Sequence, residues 1–198
     1  NCANLASTTI PDTVTSIGNS TFFNCTSLTE ITIPDSVTTI NSYAFSLCSA
    51  LTSIYLSSNL KYILEYTFYS CTSLANITIP DSVKYISRGA FYNCLSLTNI
   101  TIPDSVTSIH ERAFYHCSSL AHVNLSNNIS AINEFTFNWC TSLTSITIPD
   151  SVTVIKCVSF SQCSSLAYVN FPNNLSIIYY DSFYNCTSLT NIIIPDSV

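Results

Sequence analysis

The stretch LTNITIPDSVTSIHERAFYHCSS, residues 97–119, decides the fold, because the rest of the chain repeats it with small changes. The period is 23 residues, and a leucine recurs in step from Leu5 to Leu189 and a phenylalanine from Phe22 to Phe183. One cysteine per unit marks the same period without an insertion: Cys2, Cys25, Cys48, Cys71, Cys94, Cys117, Cys140, Cys163 and Cys186. Self-similarity at a fixed period of this length predicts a solenoid, in which each unit packs on its neighbours.

The unbroken repeat predicts one elongated domain over residues 1–198. Eight complete units run from residue 5 to residue 188, with partial units at both ends. Because neither end carries the polar segment that normally caps a terminal repeat, we expect an uncapped fragment of a longer protein.

Alternation of apolar and polar residues within one unit predicts two short strands. Ile100 and Ile102 point to one side of an extended segment, 98–102, while the polar residues between them point to the other. A Pro-Asp-Ser turn follows, and residues 106–109 form a second extended piece. Apolar residues at helical spacing predict one or two turns of α or 3₁₀ helix over residues 110–117.

The motif L-x-x-I-x-I-P-D-S-V-x-x-I-x-x-x-A-F-x-x-C, present at residues 74–94 and 97–117, resembles the BspA-like class of leucine-rich repeat. The resemblance covers essentially the whole chain. It implies an α/β repeat solenoid, which is a right-handed arc with a parallel β-sheet on its concave face. Short second strands and short helical or 3₁₀ turns are expected elsewhere. Such proteins occur on mucosal bacteria and protozoan parasites, so the resemblance also implies a cell-surface or extracellular location and adhesion to host proteins or cells.

One column of the repeat departs from the commonest leucine-rich repeats, which carry an inward-facing asparagine after the first strand. Here that column is mostly serine, with asparagine only at Asn59, Asn128 and Asn174. We expect these three side chains to face inward, as the resemblance implies.

Composition excludes several classes of function. The chain has 5 basic against 11 acidic residues and a net charge of −6, so nucleic acid and anionic membrane surfaces are unsuitable partners. No apolar run approaches the roughly 20 residues that span a bilayer, so we expect no membrane insertion within this chain. Two glycines, Gly18 and Gly89, are too few for a nucleophile elbow or a phosphate-binding loop. We therefore predict a protein that is not an enzyme and needs no cofactor.

The cysteine ladder is expected to consist of buried free thiols, because neighbouring side chains in a stacked column run parallel rather than facing each other. Cys157 lies outside the ladder, and we expect it to be exposed, either as a reactive thiol or as a neutral substitution. No CxxC pair exists to bind zinc.

Two other groups invite a metal-site interpretation that the repeat argues against. His110, His116 and His122 fall at three different positions of the unit and should face different sides. A line of aspartates is better explained by turn chemistry than by Ca²⁺ binding, although adjacent pairs leave that alternative open: Asp12, Asp35, Asp81, Asp104, Asp150 and Asp196.

The exposed side of the first strand is the predicted binding surface. Its residues vary from repeat to repeat, whereas the apolar residues at the inward positions stay the same. Aromatic side chains usually dominate interface energy, so Tyr168, His122 and Tyr55 come first. The full candidate set is Tyr55, Asn76, Asn99, His122, Asn124, Tyr168 and Asn170. An alternative surface is the tyrosine column after the repeated phenylalanine, whose members we expect to be partly buried: Tyr69, Tyr92, Tyr115 and Tyr184.

Together these features predict a non-enzymatic surface or secreted interaction protein. Its partner would be a protein or glycan ligand, such as a host cell or matrix protein, bound through the concave sheet face. The alternative is a structural spacer or scaffold that presents another domain.

Overall fold

The computed structural model describes residues 2–198, which form a parallel β-solenoid. Each coil contributes a first strand of two or three residues and a second strand of two. In chain order the fifteen strands are β1 (Ser16–Ile17), β2 (Glu30–Thr32), β3 (Thr39–Ile40), β4 (Ser53–Tyr55), β5 (Tyr62–Ile63), β6 (Asn76–Ile77), β7 (Tyr85–Ile86), β8 (Asn99–Thr101), β9 (Ser108–Ile109), β10 (His122–Asn124), β11 (Ala131–Ile132), β12 (Ser145–Thr147), β13 (Val154–Ile155), β14 (Tyr168–Asn170) and β15 (Ile177–Ile178).

The even-numbered strands stack as one ladder and the odd-numbered strands as another. The first-strand ladder pairs β2-β4-β6, β8-β10 and β12-β14, and the second-strand ladder pairs β1-β3-β5-β7-β9 and β11-β13-β15. All pairs are parallel and match residues one repeat apart, as in Ile31 with Ile54 and Ile17 with Ile40. Both predicted strands of the unit are confirmed with shorter bounds. The handedness of the coil and the curvature of the sheet stay predictions.

The predicted helical or 3₁₀ turns are wrong, and with them the α/β class, because residues 2–198 contain no helix. Each coil instead has two residues with positive φ, such as Arg112 at 56° and His116 at 55°. Their equivalents in the other coils are Ser20, Asn24, Tyr43, Leu47, Tyr66, Ser70, Gly89, Asn93, Phe135, Trp139, Val158, Gln162, Asp181 and Asn185. A left-handed residue interrupts any right-handed helix, so the apolar spacing of this segment reflects successive tight turns.

Backbone hydrogen bonds explain what the turn segment gains from this conformation. Within the coil, Cys117 N–H donates to the Phe114 carbonyl at 3.3 Å, and the equivalent bonds in the other coils are 3.1–3.2 Å long. Alternate amides donate to the next coil, so that Phe114 N–H reaches Thr136 O at 3.0 Å and His116 N–H reaches Asn138 O at 2.7 Å. The turn side is therefore bonded along the solenoid axis, as the two strand ladders are.

The core is a set of like-on-like columns. Successive phenylalanine rings stack with centroids 5.1–5.8 Å apart and planes within 16° of parallel: Phe22, Phe45, Phe68, Phe91, Phe114, Phe137, Phe160 and Phe183. Six of these rings, from Phe45 to Phe160, are fully buried, alongside the leucine and isoleucine columns. The predicted core is confirmed.

The ladder cysteines are free thiols, and from Cys25 to Cys186 they are buried, as predicted. Each Sγ from Cys48 onward lies 3.0–3.3 Å from the phenylalanine carbonyl of the preceding coil, as Cys117 does with Phe91 O at 3.1 Å. Cys157 is half-buried rather than exposed.

Thiol reactivity tests this packing. Burial raises the pKa of the Cys48 and Cys117 thiols to about 12, so they stay protonated and unreactive near neutral pH. With DTNB at about pH 8, we expect rapid reaction of Cys2 and Cys157 alone in the native protein. All 10 cysteines should react after denaturation. Fewer than ten in denaturant would reveal a disulfide, and rapid reaction of a ladder thiol would contradict the buried column.

Candidate ligand-binding face

The exposed side of the first-strand ladder is here named the strand face. In β10, Val123 points into the core and is 8% exposed, while His122 and Asn124 on either side of it point into solvent. The same exposed–buried–exposed pattern occurs in β2, β8, β12 and β14. All seven candidate residues lie exposed on this face: Tyr55, Asn76, Asn99, His122, Asn124, Tyr168 and Asn170.

The register brings only some of the candidates together. Asn99 lies directly beside His122, and Asn124 lies beside Thr101, to which its Nδ2 donates over 3.3 Å. Tyr55 and Tyr168 are five coils apart, which is about 24 Å at about 4.8 Å per strand. The two tyrosines therefore belong to separate contacts and cannot form one cluster.

Two hollows open on the strand face around the candidates. One of about 280 Å³ is lined by residues that include His122, Asn124, Ser145 and Thr147. A second of about 360 Å³ is lined by residues that include Tyr168, Asn170, Asn191 and Ile193. The linings contain no carboxylate, ammonium or guanidinium group. Recognition here would depend on amide and hydroxyl hydrogen bonds and on ring contacts.

The alternative tyrosine column behaves as predicted in part. Tyr69, Tyr92 and Tyr115 are half-buried and stack with centroids 5.2 and 4.5 Å apart, whereas Tyr184 is 61% exposed. Desolvation is the main cause that raises the pKa of the Tyr92 phenol. Burial against neighbouring coils therefore accounts for three of the four rings.

A second aromatic column was missed from the sequence. Tyr43 and Tyr66 stack at 5.2 Å and, with Tyr69 and Tyr92, line a groove of about 510 Å³. A Cβ atom on Gly89 would overlap the Tyr66 ring, so the missing side chain is what lets that ring lie over the next coil. The signal was present, because Gly89 follows Tyr66 by one repeat.

A charged strip after the second strand was also missed. Glu111 pairs with Arg88 and, over 3.2 Å, with Arg112, while Lys156 lies 3.5 Å from Glu134. The side chains are 28–49% exposed, so these pairs contribute little to stability. Three of the five basic residues therefore lie beside a glutamate.

The three histidines lie on different parts of the coil. His110 meets the edge of Tyr85 with centroids 5.9 Å apart, His116 meets Trp139 at 6.1 Å, and His122 is on the strand face. Among residues 2–198, no three His, Cys, Asp or Glu side chains are grouped as metal ligands.

The prediction that Asn59, Asn128 and Asn174 face inward is wrong, because all three are exposed. Each side-chain amide donates instead to a backbone carbonyl of the preceding coil, at 2.9, 2.7 and 2.8 Å. The acceptors are Asp35, Asp104 and Asp150. A side chain can reach these carbonyls only from outside the coil, which explains the orientation.

Two of the six aspartates, Asp35 and Asp104, bond to the next coil instead of within their own turn, where bonding was predicted. The Asp35 carboxylate accepts the backbone N–H of Ser58 at 2.8 Å and its hydroxyl at 2.9 Å, one repeat later. Asp104 accepts the backbone N–H of Asn127 at 2.8 Å in the same way. These carboxylates therefore join neighbouring coils along the outer edge.

The Asp35 carboxyl offers a direct test of this edge. The backbone and hydroxyl bonds from Ser58 hold its pKa below the ordinary 3.8. A carboxyl with a depressed pKa stabilises the folded state only when it is ionised. The stability that Asp35 contributes should therefore be present above about pH 4 and be lost as the pH falls through the pKa of the folded state. Carboxyl-carbon NMR should find a pKa below 3.8 in the native protein.

Ser58→Ala is the matched variant, because it removes the hydroxyl bond and keeps the backbone N–H. The Asp35 pKa should rise in this variant without regaining its ordinary value. A native carboxyl that already titrates at 3.8 or above would refute the inter-coil bond.

Stacked 23-residue coils with a constant apolar interior and a varied strand face define a leucine-rich repeat solenoid. The family model described as BspA type leucine rich repeat region, with 6 copies, matches residues 1–117 and 84–198. The chain belongs to this family, and leucine-rich repeats generally mediate protein binding.

Three solved structures are similar. A leucine-rich repeat protein from Bacteroides ovatus is 37% identical with a TM-score of 0.89, over 93% of this chain and 48% of that one. A leucine-rich repeat protein from T. pallidum is 30% identical with a TM-score of 0.73, over 77% of this chain and 72% of that one. One from Eubacterium ventriosum is 26% identical with a TM-score of 0.68, over 96% of this chain and 61% of that one. The chain thus spans about half the length of the B. ovatus protein. No curated protein matches the sequence.

Proposed function

We propose that this chain is the ligand-binding part of a non-enzymatic surface or secreted protein, and that it binds a protein or glycan through the strand face. The observation that carries this is the division of the first strand between constant and varied positions. The second residue of each even-numbered strand from β2 to β14 is a buried Ile or Val, whereas its exposed neighbours change from coil to coil. A constant buried position flanked by exposed positions that vary is what a recognition surface requires.

The chemistry of the face supports binding rather than catalysis. The exposed side chains are mainly amides, hydroxyls and single aromatic rings, spread over several coils. Catalysis would call for convergent groups around a reacting atom. An extended face of small polar contacts with separated aromatic anchors suits a broad ligand, such as a host cell or matrix protein.

A spacer role is the second candidate, and one observation favours it. The stacked phenylalanine rings and inter-coil hydrogen bonds continue along the axis from β1 to β15, as expected of a stiff rod. Under this alternative the chain would hold another domain away from a surface and would bind nothing itself. Among residues 2–198, no helix is long and apolar enough to cross a bilayer.

Replacing Tyr168 by Ala tests the proposed face. The side chain is 59% exposed, so folding should be unaffected. Truncating an aromatic anchor typically costs more than about 1.4 kcal/mol of binding free energy, which is a tenfold loss of affinity. Surface plasmon resonance with immobilised mucin and basement-membrane matrix should show saturable binding that weakens about tenfold in Tyr168→Ala.

Tyr184→Ala is the matched control, because that tyrosine is 61% exposed but lies on the turn side of the same coil. It should bind as the unmodified chain does. Equal losses in both variants, or none in Tyr168→Ala, would rule out the strand face, and absence of all binding would favour the spacer.

A further inference from the structure

Three consecutive coils of the strand face form a slot that the other coils lack in this combination. At the first position of their strands stand His122, Ser145 and Tyr168, so a small residue lies between two rings. The register matches Ser145 to Tyr168 directly, and β10 and β12 are neighbours in space. The third positions repeat the arrangement with two amides around a hydroxyl: Asn124, Thr147 and Asn170.

The width of the slot suits a ring inserted between the two aromatic side chains. His122 and Tyr168 are carried by strands two steps apart, which is about 9.6 Å at about 4.8 Å per step. A ring held between two others needs two contact distances of about 3.5 to 4.0 Å, or about 7 to 8 Å. Small rotations of two exposed side chains would close the difference.

The slot coincides with an opening in the ladder. Across β12 and β14, Ala167 N–H donates to Thr144 O at 2.9 Å, and across β8 and β10, Ala121 N–H donates to Thr98 O at 2.9 Å. Between β10 and β12 the ladder is not paired, and the hollow of about 280 Å³ lies at that junction.

The groups around the hollow select a neutral ligand. Asn124, Ser145 and Thr147 offer amide and hydroxyl groups that both donate and accept hydrogen bonds, and no ionised side chain lines the hollow. A charged ligand would lose hydration here without gaining an ion pair. His122 lines this hollow, whereas Tyr168 lies one strand beyond Ser145 and lines the neighbouring hollow of about 360 Å³. A ligand that carries several hydroxyls on one compact ring, placed over Ser145, would meet the polar walls and lie between the two aromatic side chains.

The small size argues for one ring rather than a folded segment of protein. Ligand pockets commonly enclose about 300 to 1,000 Å³, and this hollow, at about 280 Å³, is at the lower end. An extended peptide adds to a sheet at an unpaired edge, whereas this site lies on the broad side of the ladder. We infer that the slot between His122 and Tyr168 is a subsite for one neutral saccharide ring, an inference that rests on the proposed binding role of the strand face.

Amide NMR spectra of the labelled chain, titrated with simple sugars, test the subsite without any protein ligand. The probes are methyl β-galactoside, methyl α-mannoside and N-acetylglucosamine, with galacturonate as the charged counterpart of galactose. We expect at least one neutral sugar to shift the amides of Ser145 and Thr147 with millimolar affinity, as suits a shallow site of few contacts. Galacturonate should bind more weakly than the galactoside.

Variants locate the response. Tyr168→Ala should weaken the sugar titration by about fivefold, in line with the loss of one ring contact. Ser145→Leu should abolish it by filling the floor of the slot while leaving both rings in place. Tyr180→Ala is the control, because Tyr180 is 69% exposed and follows β15, outside the strand face.

Each outcome decides the matter. Shifts at Ser145 and Thr147 that depend on Tyr168 and not on Tyr180 support the subsite. No shift with any neutral sugar, shifts elsewhere, or equal losses in the two tyrosine variants would overturn it. If mucin binding depends on Tyr168 while no sugar shifts these amides, this inference fails and the proposed function stands. If sugars shift them while matrix proteins and mucin do not bind, the subsite stands and mucin and matrix proteins are excluded as the ligands of the proposed function.

Discussion

Hydrogen bonds between the backbones of successive coils are the interaction on which the rest of this structure depends. They occur in the first-strand ladder, in the second-strand ladder and in the turn segment, where alternate amides such as that of Phe114 donate to the next coil. Because the turn segment joins each coil to the next and the strand ladders join most of them, one inserted residue would misalign all the donors that follow it in that coil. The constant length of 23 residues follows from this requirement, and so does the stacking of like side chains.

The same requirement separates the positions that must stay constant from those that are free to vary. Inward columns of Phe, Leu, Ile and Cys have no alternative partners, since each side chain packs on its own equivalent above and below. Exposed positions of the first strand carry no such constraint, because their backbone already makes the ladder bonds. A binding surface can therefore change on this scaffold at little cost to folding, which suits a family that generally mediates protein binding.

Much of the fold was predictable because the repeat itself states which residues are equivalent. The strands, the buried phenylalanine and cysteine columns and the exposure of the seven candidate residues all follow from it. The turn segment was misread as helical, since apolar spacing does not reveal that Arg112 and His116 have positive φ. The inward placement of Asn128 failed because its amide bonds a carbonyl of the neighbouring coil, and a single unit shows no neighbour. The slot at Ser145 was missed for a similar reason, because it exists only when three coils are compared.

Scalar couplings measured across hydrogen bonds by NMR test the stacking of coils most directly. The account predicts a coupling between Phe114 N and the Thr136 carbonyl carbon, and another between His116 N and the Asn138 carbonyl carbon, since those N–H groups donate at 3.0 and 2.7 Å. A coupling from Phe114 N to the His110 carbonyl carbon, four residues earlier as in an α-helix, would contradict it.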